Sequence, residues 1–361
     1  MVNPSQSASD RVAISTQIAK RTAASDNGKM LDERKAAILS AVVQEYIETA
    51  QPVGSGRIAA VPGVEVSSAT VRNEMAALED AGYLVQPHTS AGRIPTDKGY
   101  RFFVDRIRND KTGLVPSEPR AVRDFFNGAH GQIEAMMERT SELLTHMTDW
   151  TAVVVGPSVE QATVRSVQFV DLSSHIAMVV AVLSNGVIEK RTVEVASELT
   201  PAIVDDAGRR LTQAVEGKTL AELGGADTDP AGDADPLLDA AIAALSAAGR
   251  QAEFYVGGAS RLAGAFEAVD QVRDVLTILE EQIVVVSLIS DVLDRGMRVA
   301  IGNETGVEPL ADCSLVIAPF VVDGDAAGTI GVLGPTRMDY SQALSAVAVV
   351  SNRLERELNE G

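Results

Sequence analysis

Val66-Ser67-Ser68-Ala69-Thr70-Val71-Arg72-Asn73-Glu74-Met75-Ala76-Ala77-Leu78-Glu79-Asp80, closed by Ala81-Gly82, decides how the N-terminal part is read. Ser67 suits an N-cap, Val66 and Val71 are spaced for a hydrophobic staple, and Ala81-Gly82 is a stop signal. The spacing therefore predicts a helix over 68–80. With Val71 at the centre of a helical wheel, Met75, Leu78 and Gly82 fall within about 40° of it and form the core face. The opposite face carries Ala69, Arg72, Asn73 and Ala76. Arginine and asparagine can grip guanine and adenine edges with two hydrogen bonds, and alanines let the backbone approach closely. Ser68 and Thr70 in the first turn can bond phosphate, helped by unpaired N–H groups and the positive helix end. The competing reading of Arg72 and Asn73 is an ordinary polar outer face.

The flanks extend this reading. Asp32 can cap a helix to about Thr49, whose apolar residues Ile38, Leu39, Val42, Val43, Tyr46 and Ile47 share one side. Gln51-Pro52-Val53-Gly54 stops it, Ser55 is placed to cap a short second helix, and Pro62-Gly63 ends that one. After Gly82, Tyr83-Leu84-Val85 reads as a strand, 87–93 as a polar loop and Ile94-Pro95 as the return strand. Three short helices followed by a hairpin predict a winged helix-turn-helix whose third helix enters the major groove. The hairpin and its continuation add His88, Thr89, Ser90, Arg93, Lys98 and Arg101 as candidate DNA contacts. Arg93 is expected on the phosphate backbone or in a minor groove. A solvated turn with ordinary basic residues is the bland alternative.

Composition limits the rest. The chain has 361 residues, 45% hydrophobic and 22% charged, enough for two or three globular domains and unlike a disordered or fibrous chain. Its net charge is -19, but residues 1–108 hold 13 basic and 12 acidic side chains. The acidity therefore sits downstream, and only the N-terminal part can meet a polyanion. Cys313 is the single cysteine, which excludes an intrachain disulfide and a thiolate-built zinc site. No apolar run has the length of a membrane span and no secretory signal opens the chain, so a cytoplasmic protein is expected.

Residues 1–29, rich in Ser, Ala and Thr, read as a mobile extension. Residues 121–147 read as a connecting helix, with strands over 152–155, 164–172, 176–183 and 187–195. Ser184-Asn185-Gly186 marks a hairpin. From 198 to 268 the chain is Ala-rich and acidic with helical spacing, interrupted by a loop at 224–236. A helix near 272–293, strands at 298–301, 315–320 and 328–333, and a helix from Tyr340 complete it. Strand texture split by a helical stretch suggests one domain inserted into another.

Signals for catalysis are weak. Gly217-Lys218-Thr219 lacks the earlier glycine of a phosphate-binding loop, because that position is Thr212. Gly257-Gly258 is better read as a tight turn. Asp227, Asp229, Asp233 and Asp235 do not follow a calcium-loop register, and His88, His130, His146 and His175 are scattered. Cys313 sits beside an apolar run and reads as a buried structural thiol. No catalytic residue, cofactor or metal is expected, and the chain is not read as an enzyme.

Several runs carry a family resemblance. Pro52-Val53-Gly54-Ser55, the run 66–75, Gly82-Tyr83-Leu84, the run 87–96, Gly99-Tyr100-Arg101 and Gly331-Val332-Leu333-Gly334-Pro335-Thr336-Arg337-Met338-Asp339-Tyr340 closely resemble the bacterial heat-inducible transcription repressors of the HrcA family. The resemblance runs from about Met30 to the C-terminus. Residues 1–29 depart from the family pattern; for the rest the resemblance implies an α+β multidomain chain: a winged-helix DNA-binding domain (30–108), a GAF-like α/β domain in two parts (109–197 and 269–361), and an inserted dimerisation domain (198–268). It also implies a homodimer that represses chaperone operons at an inverted-repeat operator in the cytoplasm, modulated by a GroEL-type chaperonin. The alternative is a regulator gated by a small molecule held in the GAF-like domain.

Overall fold

The computed structural model describes residues 31–88, 91–109, 120–127, 133–157, 162–223, 235–247, 254–264, 266, 268–322 and 324–360. The extension over 1–29, Thr89, Ser90, His130 and the loop over 224–234 lie outside the described residues. The chain is a mixture of helices and sheets that separates into two compact units. The first holds residues 31–109, 300–314 and 334–342; the second holds the other described residues.

In the first unit, α1 (Glu33–Thr49) starts where expected, because Asp32 accepts the Lys35 N–H at 2.8 Å. Helix α2 (Ser55–Ile58) follows, then α3 (Ser68–Asp80), capped by Ser67 accepting from the Thr70 N–H at 3.2 Å. Ser55 does not cap α2. Its N-cap is Gly54, and the Ser55 hydroxyl lies 3.1 Å from that of Ser68, joining the first turns of α2 and α3. One face of each helix is buried: Ile38, Leu39, Val42 and Val43 on α1, Ile58 on α2, and Val71, Met75 and Leu78 on α3. Burying such aliphatic side chains, at roughly 1.5–3 kcal/mol each, holds these short helices together where propensity alone would not.

Gly82 follows α3 with φ +78, a conformation costly for any side chain with a Cβ. The chain then turns into β1 (Leu84–Val85), which pairs antiparallel with β2 (Ile94–Pro95) through Leu84↔Pro95 and Val85↔Ile94. Helix α4 (Asp97–Asn109) runs directly on from β2.

The second unit contains α5 (Arg120–Asn127) and α6 (Ile133–Thr148) where one connecting helix is expected over 121–147; residues 128–132 lie outside the described residues. The main sheet runs in the order β7 (Phe254–Gly257), β3 (Thr151–Val155), β10 (Asp325–Pro335), β9 (Cys313–Val322) and β8 (Val299–Ile301). Every residue of β3 is buried, as a strand covered on both faces requires. Helices α11 (Val269–Glu280) and α12 (Gln282–Asp294) stand where one helix is expected near 272–293; Ser351 and Asn359 on α13 (Tyr340–Glu360) bond the Pro319 and Val321 carbonyls, so α13 lies on its own sheet.

A separate meander follows β3. β4 (Val164–Ser173), β5 (Ile176–Leu183) and β6 (Ile188–Glu194) pair in sequence order, with Ser184-Asn185-Gly186 turning β5 into β6. One face, with Val167, Ala177, Val179, Ala181, Leu183 and Val193, shares a core with α7 (Pro201–Val215), α8 (Leu220–Leu223) and α9 (Pro236–Ser246). The sequence groups these strands with β3 and reads Glu253–Val256 as strand-like within the inserted stretch 198–268. In the structure β4–β6 share their core with the helices of 201–246, and β7 pairs with β3.

Candidate nucleic-acid interface

Helix α3 presents two contrasting faces. Val71 and Leu78 have no exposed surface and Met75 has 1%, whereas Ala69, Arg72 and Asn73 are exposed. Glu74 is drawn back toward α1 by Lys35 at 3.5 Å and Arg34 at 3.9 Å. The side chains of Arg72 and Asn73 have no hydrogen-bond or ion-pair partner among the described residues. Their side chains remain available, projecting from a helix that its core face immobilises. Thr70 uses its N–H and hydroxyl in the Ser67 cap, and Ser68 shares its hydroxyl with Ser55. Their expected phosphate contacts would have to be shared with these local bonds.

The hairpin residues separate into distinct roles. His88 is exposed, and its carbonyl accepts the Ala91 N–H at 2.9 Å. Arg93 is turned inward, with Nε donating to Glu79 Oε2 at 2.9 Å. Lys98 Nζ donates to the carbonyl of Ala81, the α3 C-cap, at 3.1 Å and lies 4.5 Å from the Tyr83 ring centroid. It thus satisfies the negative end of α3.

Arg101 is drawn into an acidic cluster. Its guanidinium engages both carboxylate oxygens of Glu304, with Nε–Oε1 at 2.9 Å, and lies 3.5 Å from Asp105. Glu304 also accepts the Ile301 N–H at 2.9 Å. One turn earlier on α4, Asp97 accepts from the Asn303 backbone at 3.1 Å and side chain at 2.9 Å. Asp97 and Arg101 therefore grip the turn Gly302–Thr305, and Tyr100 between them packs its ring 5.9 Å from that of Tyr340. In this arrangement Arg101 faces protein carboxylates where the sequence suggested DNA. Lys98 and Arg101 look identical to surface cations in the sequence; Glu304, the residue that decides the matter, is 203 positions away.

Burial raises the Asp97 carboxyl pKa, and Glu304 and Asp312 raise it further against the lowering hydrogen bonds of Asn303. A carboxyl with a raised native pKa makes folding less favourable as pH climbs through its titration range. Asp97→Asn keeps an acceptor for Asn303 but removes the charge. Wild-type stability relative to Asp97→Asn is expected to fall as pH rises from about 4 toward neutrality, measured by denaturant unfolding at several pH values.

The remaining motifs have structural explanations. Gly217-Lys218-Thr219 is a capped turn: its backbone pairs with Val164, and Thr219 and Glu222 exchange bonds at the start of α8. Gly258 N-caps the short helix α10 (Ala259–Ala263). Cys313 is fully buried, which pushes its thiol up to about 12 and suppresses thiolate chemistry. Among the described residues no helix is long and apolar enough to cross a membrane.

A family model described as the HrcA protein C terminal domain matches residues 134–344. The heat-inducible transcription repressor HrcA of Nocardioides sp. is 38% identical over 339 residues, covering 92% of this chain and 100% of that protein. The protein of the same name from Pelotomaculum thermopropionicum is 35% identical over 338 residues, covering 91% and 97%. A crystal structure of a hypothetical protein superposes with TM-score 0.64 at 23% identity, covering 92% of this chain and 99% of that one.

Proposed function

The chain belongs to the HrcA family of heat-inducible transcription repressors, and from that membership we propose that it represses chaperone operons by docking α3 in the major groove of an inverted-repeat operator. In this reading residues 31–109 contain a winged helix-turn-helix, with α3 as its recognition helix and the β1–β2 hairpin as its wing. The observation that carries it is the exposed Arg72–Asn73 edge of α3, unpartnered among the described residues on a helix otherwise fixed by its core face. Charge supports it: residues 1–108 are nearly neutral while the rest is strongly acidic. An acidic body repels general polyanion binding and leaves DNA to the helix and wing.

An inverted repeat calls for two subunits related by a dyad. The outer face of the β4–β6 meander offers a surface for that pairing. Val170, Leu172 and Ile188 are 40%, 50% and 49% exposed there. Met178 and Val182 of β5 lie in register with Val170 and Ile188. We assign the inserted dimerising domain to this meander with α7–α9, set into the GAF-like domain formed by the main sheet. Ile188→Asp combined with Val170→Asp is expected to convert the dimer to a monomer in sedimentation velocity and to weaken binding to the full repeat.

Action in the cytoplasm at the nucleoid, with a GroEL-type chaperonin promoting the active repressor, completes the proposal. Heat-cycled repressor should recover operator binding with chaperonin and recover less without it. The principal test is footprinting on DNA upstream of chaperonin genes with a salt titration. Protection of an inverted repeat supports the reading; binding at random positions overturns it.

A further inference from the structure

Three constraints converge on Arg93. Its backbone N–H and carbonyl form an antiparallel bridge with Val53, both bonds 2.9 Å long. Its side chain donates to Glu79 on the last turn of α3, and the two side chains are only 16% and 24% exposed. Gly92 beside it has no room for a side chain: a Cβ there would fall 2.4 Å from the Val53 oxygen and 2.7 Å from the Pro52 carbonyl carbon. Within the loop, Gln86 Nε2 also donates to the Ala91 carbonyl at 2.8 Å. The root of the hairpin loop is thus tied by its backbone to the segment between α1 and α2, and by one charged pair to α3.

We infer that Arg93 is a positioning residue, fixing the wing relative to the recognition helix, and does not itself contact DNA. The inference rests on the DNA-docking reading of α3 proposed above. Its chemistry follows from the pair. A guanidinium already bonded to a carboxylate and largely covered has little charge left to displace counterions from a phosphate. What the pair supplies is a fixed offset between the helix in the major groove and the loop beside it. His88, exposed in that loop, is carried to the DNA by this offset.

The two roles predict opposite results for Glu79→Ala. If Arg93 touches phosphate, removing the competing carboxylate frees the guanidinium and tightens binding. If Arg93 positions the wing, Glu79→Ala weakens binding as Arg93→Ala does, by roughly fivefold each, and the double variant is no worse than either single one. The test is a double-mutant cycle of operator affinity on the full-length chain, with salt titrations, melting curves and Arg72→Ala as reference. Expected results are an unchanged salt slope in every Glu79 and Arg93 variant, a cooperative melting transition that stays above the assay temperature, and recovered affinity in the charge swap Arg93→Glu with Glu79→Arg. A salt slope smaller by about one in Arg93→Ala, or tighter binding by Glu79→Ala, overturns the positioning role while leaving α3 docking intact. If Arg72→Ala is also without effect on operator binding, the docking reading fails and this inference fails with it.

Discussion

Operator binding by an Arg72→Ala variant is expected to weaken by about 1–3 kcal/mol, roughly five- to 150-fold, with little change on random DNA. The substitution is well isolated. Arg72 is exposed and has no partner among the described residues, so its removal leaves no orphaned charge behind. Alanine is the better helix former, and the core face of Val71, Met75 and Leu78 is untouched. Stability should stay within about 0.5 kcal/mol of wild type, so a lost affinity cannot be attributed to unfolding. Fluorescence anisotropy with operator and scrambled duplexes separates the outcomes. A specific loss supports a base contact, and an equal loss on both duplexes identifies Arg72 as a phosphate contact only.

The second large effect concerns Arg101, where the expected loss is in stability. Arg101→Ala should destabilise the protein by about 2 kcal/mol at neutral pH, below the range for a fully buried pair because Arg101 and Glu304 are 23% and 29% exposed. The guanidinium is the cation facing Glu304 and Asp105, and Asp97 already carries a raised pKa through burial, Glu304 and Asp312. Without Arg101 these carboxylates repel one another in the folded state. Protonation relieves that repulsion, so the deficit should shrink as pH falls through the carboxylate range. Arg101→Lys should restore only part of the loss, because an ammonium cannot match both oxygens of Glu304. Denaturant unfolding against pH reads this directly. Unchanged stability together with a salt slope reduced by about one would place Arg101 on the DNA instead.

These two arginines show what the sequence can and cannot reveal. Helix α3 was legible because its determinants are local: the Ser67 cap, apolar residues at spacings of three and four, and the glycine after its end. The same holds for α1 with Asp32. Arg72 and Asn73 could be placed on the outer face by counting residues. Arg93 and Arg101 could not be distinguished from them, because their partners Glu79 and Glu304 lie 14 and 203 residues away. Which strands share a sheet was also hidden. Thr151–Val155 and the meander strand Ile176–Leu183 are both apolar runs in the sequence, yet the first is buried throughout and the second at alternate residues only. The pairing of β7 with β3 has no local signature.

Photocross-linking from the outer face of α3 tests the account most directly, because it leaves Arg72 and Asn73 in place. A photoreactive amino acid substituted for Ala69 in the full-length protein should cross-link to bases at symmetric positions in both halves of the inverted repeat, and unlabelled operator should compete it away. Cross-links only to protein, or to DNA without preference for the repeat, would contradict it.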